Sequence, residues 1–358
     1  MPAHADVHFM RHALTLASRG WGQTAPNPMV GAVVVRDGVI VGEGHHAAFG
    51  AEHAEPVALR AAGERARGAT LYLTLEPCTH EGKRPPCTPA VIAAGIARVV
   101  IAARDPNPVA AGGVELLRAA GIAVTLGVEE ADARELNAAF FHRFTSDRPW
   151  VTLKLAVSID GAITDAARSA GWLTGPESRR EVHHQRAGAD AIAVGIGTVL
   201  ADDPLLTVRE VSAPRVPPTR VVFDRGARLP LASRLVQTIA DAPVIVVTDG
   251  SAPVREQALE RAGARVLRAA GTTEALRALK AGGINSLYVE GGAGLAGSLL
   301  EAEAVDRLII FRAPLVLGAG SLGAFDRAPS FSLADAARGR IVEQRRFGED
   351  EMTIYALR

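Results

Sequence analysis

His53-Ala54-Glu55, answered downstream by Glu76-Pro77-Cys78-Thr79-His80-Glu81-Gly82-Lys83-Arg84-Pro85-Pro86-Cys87, is the stretch from which the first half of this chain can be read. One neutral imidazole and two thiolates cancel the charge of Zn2+ and leave a fourth tetrahedral position for water. A water held there ionises near neutral pH, and Glu55 is placed to carry protons rather than to bind metal. A lone cysteine is ordinarily a buried small hydrophobe. Here both cysteines of the chain fall inside one pattern, so the metal reading outweighs the core reading.

His-x-Glu followed by Pro-Cys and a second Cys is the order found in zinc nucleobase deaminases, where the Glu is a general acid-base and not a ligand. Most of them place two residues between the cysteines, whereas eight separate Cys78 from Cys87. That longer loop, ending in Pro85-Pro86, and the upstream run Thr24-Ala25-Pro26-Asn27-Pro28-Met29-Val30-Gly31-Ala32-Val33 resemble the bifunctional riboflavin-biosynthesis deaminase-reductases. The resemblance extends over nearly the whole chain. It implies an N-terminal cytidine-deaminase-like αβα domain over 1–147 and a C-terminal dihydrofolate-reductase-like α/β domain over 148–358, using Zn2+ and NADPH. The implied reactions are hydrolytic deamination of 2,5-diamino-6-(5-phosphoribosylamino)pyrimidin-4-one, then reduction of the ribosyl side chain of 5-amino-6-(5-phosphoribosylamino)uracil to ribityl.

A chain of 358 residues suits two domains better than one. Its 39 basic and 39 acidic residues leave no electrostatic footprint for nucleic acid and no polybasic patch for a membrane surface. A small-molecule pyrimidine ribotide is the better partner. Met1 to Leu14 carries His4, Asp6, His8, Arg11 and His12 without the apolar core of a signal peptide. No apolar run reaches the ~18 residues of a membrane span. Two cysteines exclude a disulfide scaffold, and a reducing cytoplasm suits thiolate ligands. A homo-oligomer is the expected assembly.

In chain order, Val7 to Ser18 reads as an amphipathic helix. Gly31 to Val35 and Val39 to Gly44 read as strands joined at Arg36-Asp37-Gly38, where Gly supplies the positive φ of a tight hairpin. Pro56 stands where the family usually has Val, and is tolerated in a first helical turn because its missing N–H would be unpaired there. A helix from about Glu55 to Ala66 therefore starts at His53 and Glu55. Strand Ala69 to Leu75 delivers Cys78 at its carboxyl end, where open α/β sheets place ligands. Cys87 stands just ahead of a short helix over Pro89 to Ala94, whose N-terminal N–H groups favour a thiolate. Strand Arg98 to Ala102, helix Gly112 to Ala120, edge strand Ala123 to Val128 and one helix from Ala131 to Phe144 complete a layered domain, and Thr145-Ser146-Asp147-Arg148-Pro149 is the linker.

Beyond it, strands over Trp150 to Ala156, Gly188 to Val194, Arg220 to Phe223, Pro243 to Thr248, Ala264 to Leu267 and Ser286 to Glu290 alternate with helices, two of them near Val254 to Ala262 and Thr273 to Ala281. The pattern is doubly wound and predominantly parallel, with Asp306 to Arg312 and Glu351 to Leu357 adding antiparallel strands at the end. Gly292-Ala293-Gly294-Leu295-Ala296-Gly297 follows a strand and opens a helix, where glycines let backbone approach a phosphate. Alone the motif is weak, since Asp306 comes too early to be the acidic partner of the classical dinucleotide fold. Gly195 and Gly197 end a second strand, and two glycine loops can bracket a diphosphate.

The family resemblance implies NADPH contacts at Ala156, Trp172, Thr198, Asp202, Gly292, Ala293, Gly294, Leu295, Ala296, Gly297 and Ser298. A lone Lys or Arg is by default a solvated surface group. Resemblance instead puts Lys154, Arg186 and Arg209 at the ribosyl phosphate, with Leu206 and Glu290 completing the pocket and Lys154 and Asp202 as catalytic groups. In the first domain it implies metal binding by His53, Cys78 and Cys87, catalysis by Glu55, and substrate binding by Asn27, His46 and Lys83. Asn27 offers a donor and an acceptor to a base edge. Ala170 stands where the family has Ser, with Ser169 one place earlier, and Arg225 where it often has a small polar residue. Two other readings are a nucleoside or tRNA-type deaminase with an unrelated second domain, and a zinc-stabilised binding protein. Neutral charge and the long cysteine loop count against the first. Three ligands beside Glu55 count against the second, because structural zinc normally has four protein ligands.

Overall fold

The computed structural model describes residues 4–169, 171–330, 332–334 and 336–357. Ala170, one of the departures from the family pattern, lies outside the described residues. The chain divides into two compact units, Met1–Thr145 and Ser146–Arg358. No described helix is long and apolar enough to cross a membrane.

The first unit runs α1 (His4–Ser18), β1 (Gly31–Arg36), β2 (Val39–His45), α2 (Ala54–Ala62), β3 (Thr70–Leu75), α3 (Cys87–Ala93), β4 (Arg98–Ala103), α4 (Gly113–Ala119), β5 (Ala123–Leu126), α5 (Glu130–Leu136) and α6 (Ala138–Arg143). Its sheet has the order β2-β1-β3-β4-β5, with β1 antiparallel to both neighbours and β3, β4 and β5 parallel. Period-two alternation splits the strand residues between two cores. Val34, Leu71, Leu73 and Ile101 pack with Ala58 of α2, Val91 of α3 and Leu117 of α4 on one face, while Val33, Val35, Tyr72 and Val100 pack with Met10 and Leu16 of α1 and Ala133 of α5 on the other. The β1–β2 turn uses φ of 50° at Asp37 and 77° at Gly38, the left-handed pair a two-residue hairpin of matching twist needs.

The helix expected over 55–66 is α-helical only to Ala62 and ends in a 3-10 turn over Gly63–Ala66, the strand expected over 123–128 ends at Leu126, and two further boundaries differ. The helix expected over 131 to 144 is broken at Asn137, which leaves helical geometry (φ −111°, ψ 29°). Its side chain pairs with both polar groups of Met29, accepting from the N–H at 2.8 Å and donating to the carbonyl at 2.9 Å. Cys87 lies inside α3 as its first residue, because Pro86 takes the extended cap position.

The second unit runs β6 (Trp150–Val157), β7 (Ala162–Thr164), α7 (Pro176–Ala187), β8 (Ala191–Gly195), α8 (Ile196–Asp202), β9 (Thr219–Phe223), α9 (Arg234–Gln237), β10 (Val244–Thr248), α10 (Pro253–Arg261), β11 (Arg265–Arg268), α11 (Thr272–Ala281), β12 (Ser286–Glu290), α12 (Ala293–Glu301), β13 (Arg307–Arg312), β14 (Leu322–Gly323), β15 (Arg340–Phe347) and β16 (Asp350–Ala356). The nine-stranded sheet has the order β11-β10-β9-β8-β12-β6-β13-β16-β15 and is parallel from β11 to β13. β16 and β15 close it antiparallel. Residues of α11 and α12 cover one face, and α8, α9 and α10 the other. β8 begins later than the expected Gly188: Gly188 closes α7, and the Asp190 carboxylate accepts from the N–H groups of Asn285 and Ser286. β15 escaped the sequence reading because most of it is exposed on both faces, so no hydrophobic alternation marks it.

Candidate active sites

In the first unit His53 caps the start of α2. That helix can lie against β2 because positions 42 and 44 are glycine: a Cβ there would stand 2.3 Å from the carbonyl oxygens of Ala58 and Ala54. The seating turns His53 toward the end of β3 and the start of α3. Its Nδ1 lies 3.2 Å from Sγ of Cys87 and 3.6 Å from Sγ of Cys78, and the three donor atoms fall within 4.8 Å of one another. Cys87 hydrogen-bonds Cys78, which pulls Cys78 down to about 4 and, together with burial, pushes Cys87 up. Two sulfurs competing for one proton beside an imidazole nitrogen form a donor set that fits zinc, with one tetrahedral position left over. Glu55 is buried, and burial raises its carboxyl to about 7.

A cavity of about 390 Å3 joins His53, Glu55 and Cys78 to Asn27, His46 and Lys83. The Glu52 carbonyl accepts from Nδ1 of His46 at 2.9 Å, so Nε2 is left to accept from the Asn27 amide at 3.2 Å. Burial lowers the His46 pKa, consistent with that neutral ring. Lys83 Nζ sits 4.1 Å over the Phe49 ring. The cavity is also lined by Asp105, Asn107, Phe140 and Phe144, which the sequence reading passed over. Burial raises Asp105 to about 6. The signal for Asp105-Pro106-Asn107 was its place directly after β4, at the carboxyl edge of the sheet. Glu76 is the first residue after β3. Its buried carboxylate accepts from the N–H groups of Gly112, Val114 and Asp105, fixing the loop beside Cys78.

In the second unit β8 and β12 are parallel neighbours, and each runs through glycine into a helix. The two loops touch: a Cβ at Gly195 would lie 3.6 Å from Cβ of Leu295, and one at Gly292 would lie 3.5 Å from Oγ1 of Thr198. Gly197 and Gly294 face open space. Two helix N-termini side by side, with bare backbone between them, fit the diphosphate of a dinucleotide. A Cβ at Gly297, the last glycine of the motif, would stand 2.1 Å from the Arg327 carbonyl, so glycine here also lets α12 sit against the 327–328 backbone.

Glu290 and Lys154 are register partners on β12 and β6. Arg186 grips Glu290 through Nε and Nη2, the latter at 2.9 Å, and its Nη1 donates to the Thr207 carbonyl at 2.8 Å. The fork expected to face a phosphate is thus engaged, and the exposed cation of the group is Arg209, whose Nη1 donates to Thr207 Oγ1 at 2.7 Å. Burial alone would raise Glu290, but the charge and hydrogen bonds of Arg186, with Lys154, hold it at about 2. Burial lowers Lys154. Leu206 is buried. Ala156 lies two residues beyond Lys154 on β6, and Trp172 is 68% exposed with Arg179 stacked 5.4 Å away. Asp202 ends α8, and partial desolvation raises its carboxyl. The turn carboxylate there is Asp203, which accepts from the Arg234 N–H at 2.9 Å. Arg225 is exposed just past β9, and its carbonyl accepts from the Asp249 N–H.

Family models match both units: the RibD C-terminal domain over residues 149–350, and the cytidine and deoxycytidylate deaminase zinc-binding region over residues 3–103. The riboflavin biosynthesis protein RibD of Aquifex aeolicus is 44% identical over 98% of this chain and 98% of its own length. The Escherichia coli protein of the same name is 41% identical over 96% and 97%. Among solved structures, Acinetobacter baumannii RibD superposes with a TM-score of 0.86 at 37% identity, covering 98% of each chain. A Thermotoga maritima diaminohydroxyphosphoribosylaminopyrimidine deaminase/5-amino-6-(5-phosphoribosylamino)uracil reductase does so with 0.86 at 36%, covering 99% of each. A match to the second unit removes the reading of an unrelated appended domain. With a zinc-deaminase half and a reductase half both matched along one chain, the protein belongs to the bifunctional RibD family of riboflavin biosynthesis enzymes.

Proposed function

We propose that residues 1–147 hydrolyse the 2-amino group of 2,5-diamino-6-(5-phosphoribosylamino)pyrimidin-4-one and that residues 148–358 reduce the ribosyl chain of the product to ribityl. The observation that carries the first half is the placement of Glu55 in one cavity with Asn27, Lys83 and two members of the donor set, His53 and Cys78, with Cys87 the third donor beside them. His53, Cys78 and Cys87 would hold a zinc ion, which would supply a water acidified toward neutral pH. Glu55 takes the proton at its carboxylate, returns it to a ring nitrogen, and assists departure of the amino group as ammonia. Asn27, oriented by His46, reads the base edge, and Lys83 meets the phosphate.

In the second half the loops at Gly195–Gly197 and Gly292–Gly294 would hold NADPH, which would supply the hydride for reduction at C1 of the opened sugar. Lys154 and Glu290 hold the sugar hydroxyls, Arg209 the phosphate, and Asp202 the proton that accompanies reduction. Arg186 fixes the carboxylate of Glu290 rather than meeting the phosphate directly. A homo-oligomer working in the cytoplasm suits the balanced charge and the thiolate ligands. The test is to incubate the protein with the diaminopyrimidine ribotide, with and without NADPH, and identify products by mass. Deaminated ribotide without NADPH and ribityl product with it are expected. Turnover of cytidine or adenosine in place of the ribotide overturns the reading.

A further inference from the structure

α7 presents Arg180, His183 and Arg186 at three-residue intervals to the segment that follows α8. Arg186 Nη1 donates to the Thr207 carbonyl at 2.8 Å, His183 Nδ1 accepts from the Arg209 N–H at 3.2 Å, and Arg180 Nε donates to the Glu210 carbonyl at 3.3 Å. Residues three apart share one helix face, so the contacts form a ladder along the loop. The loop needs one. Asp203, Leu206 and Glu210 have φ of 39°, 50° and 63°, a left-handed region that persists at residues with a Cβ only where the surroundings over-determine it.

His183 is the least replaceable rung. It is buried, and its Nδ1 faces two donors, the Arg209 N–H and Arg186 Nη1 at 3.5 Å. The lone pair therefore sits on Nδ1 and the proton on Nε2. Burial, then the charges of Arg186 and Arg209, lower its pKa against the opposing charges of Glu290 and Glu210. The guanidinium of Arg209 is tied to the same segment through Thr207 Oγ1.

We propose that His183 is a positioning residue for the reduction: by holding the backbone of Arg209 it sets the distance from that guanidinium to the Lys154–Glu290 pair, and so where the phosphate end of the ribotide lies relative to the carbon being reduced. The inference rests on Arg209 as the phosphate-binding cation. His183→Leu removes the acceptor while keeping an apolar side chain, and His183→Asn supplies an Oδ1 near the place of Nδ1.

The test is steady-state reduction of supplied 5-amino-6-(5-phosphoribosylamino)uracil by the full chain. His183→Leu should raise KM for the ribotide about five- to tenfold, the worth of one hydrogen bond, with kcat and the KM for NADPH little changed. His183→Asn should restore most of the loss. Arg180→Ala, at an exposed rung, should raise KM about twofold in the same direction. Arg209→Ala runs alongside. If it leaves KM unchanged, the phosphate reading falls and takes this inference with it. If it raises KM while His183→Leu does not, or if the loss falls on kcat and NADPH binding together, only the positioning role is overturned. Should His183→Leu not fold, an Arg180→Ala protein with normal KM overturns the ladder.

Discussion

Glu290 stands in register beside Lys154 on the neighbouring parallel strand, and its carboxylate is gripped by Arg186. That carboxylate feels both cations, Arg186 by charge and hydrogen bonds and Lys154 by charge. Removing it leaves a buried guanidinium without its partner, which typically costs about 3–5 kcal/mol. Because the folded-state pKa of Glu290, about 2, lies below the ordinary value of 4.5, its contribution is fully present above pH 4.5 and lost as pH falls through about 2. Glu290→Gln should therefore unfold earlier in denaturant at pH 7, by a margin that shrinks on acidification. A margin as large at pH 3 as at pH 7 would contradict the assignment.

Glu55→Gln should keep one zinc per chain and lose deamination by about 10²- to 10⁴-fold, since an amide can hydrogen-bond but cannot carry a proton. Reduction of supplied deaminated ribotide should be unaffected. Product analysis on each substrate separately checks both halves, and normal deamination by the variant would remove Glu55 from the mechanism.

Cys78→Ser and Cys87→Ser should each purify with little zinc by elemental analysis, because a hydroxyl supplies neither the charge nor the softness of a thiolate. Exhaustive chelation of the unmodified protein should abolish deamination and spare reduction. Undiminished deamination in metal-free protein would end the zinc reading.

Arg148 donates to both oxygens of buried Asp306, at 2.6 and 2.8 Å, and Val151 N–H meets the same carboxylate. A fragment over 148–358 should fold and reduce ribotide with NADPH, whereas Arg148→Ala in that fragment should cost about 3–5 kcal/mol in chemical unfolding. A loss under about 1 kcal/mol, the worth of an exposed pair, would show that the cut can fall later.

Asp202→Asn separates two roles. A proton donor predicts a fall in kcat, and an orienting carboxylate predicts mainly a raised KM. Since Asp203 already serves as the turn carboxylate, stability should change little. Unchanged kcat and KM would exclude Asp202 from the active site.

What the sequence made legible was chemistry held in short spacings. His53, Glu55 and Cys78 are separated by a helix start and a strand end, both marked by local residues, and the long parallel run of the second unit follows from unbroken apolar strands. What it hid depends on distant partners. Nothing local in the 131–144 run shows that Asn137 would leave the helix to pair with Met29. The packing demand on Gly297 comes from the 327–328 backbone, thirty residues on, and nothing in the glycine motif itself shows it. The pairing of Arg186 with Glu290 could not be read locally, because the two are 104 residues apart.

The loop between the cysteines has a consequence for occupancy. Residues 79–86 are held at both ends by candidate ligands of one ion, and Lys83 and Arg84 on that loop line the cavity. Losing the ion would release the ends as well as the sulfurs, widening the volume that Lys83 explores before it can meet a phosphate. If Lys83 meets the ribotide phosphate as proposed, metal retention and ribotide capture would be reciprocal, each raising the affinity for the other by the same factor. Saturating ribotide would slow extraction of zinc by a chelator, and a cell short of zinc would lose its hold on the ribotide together with the chemistry.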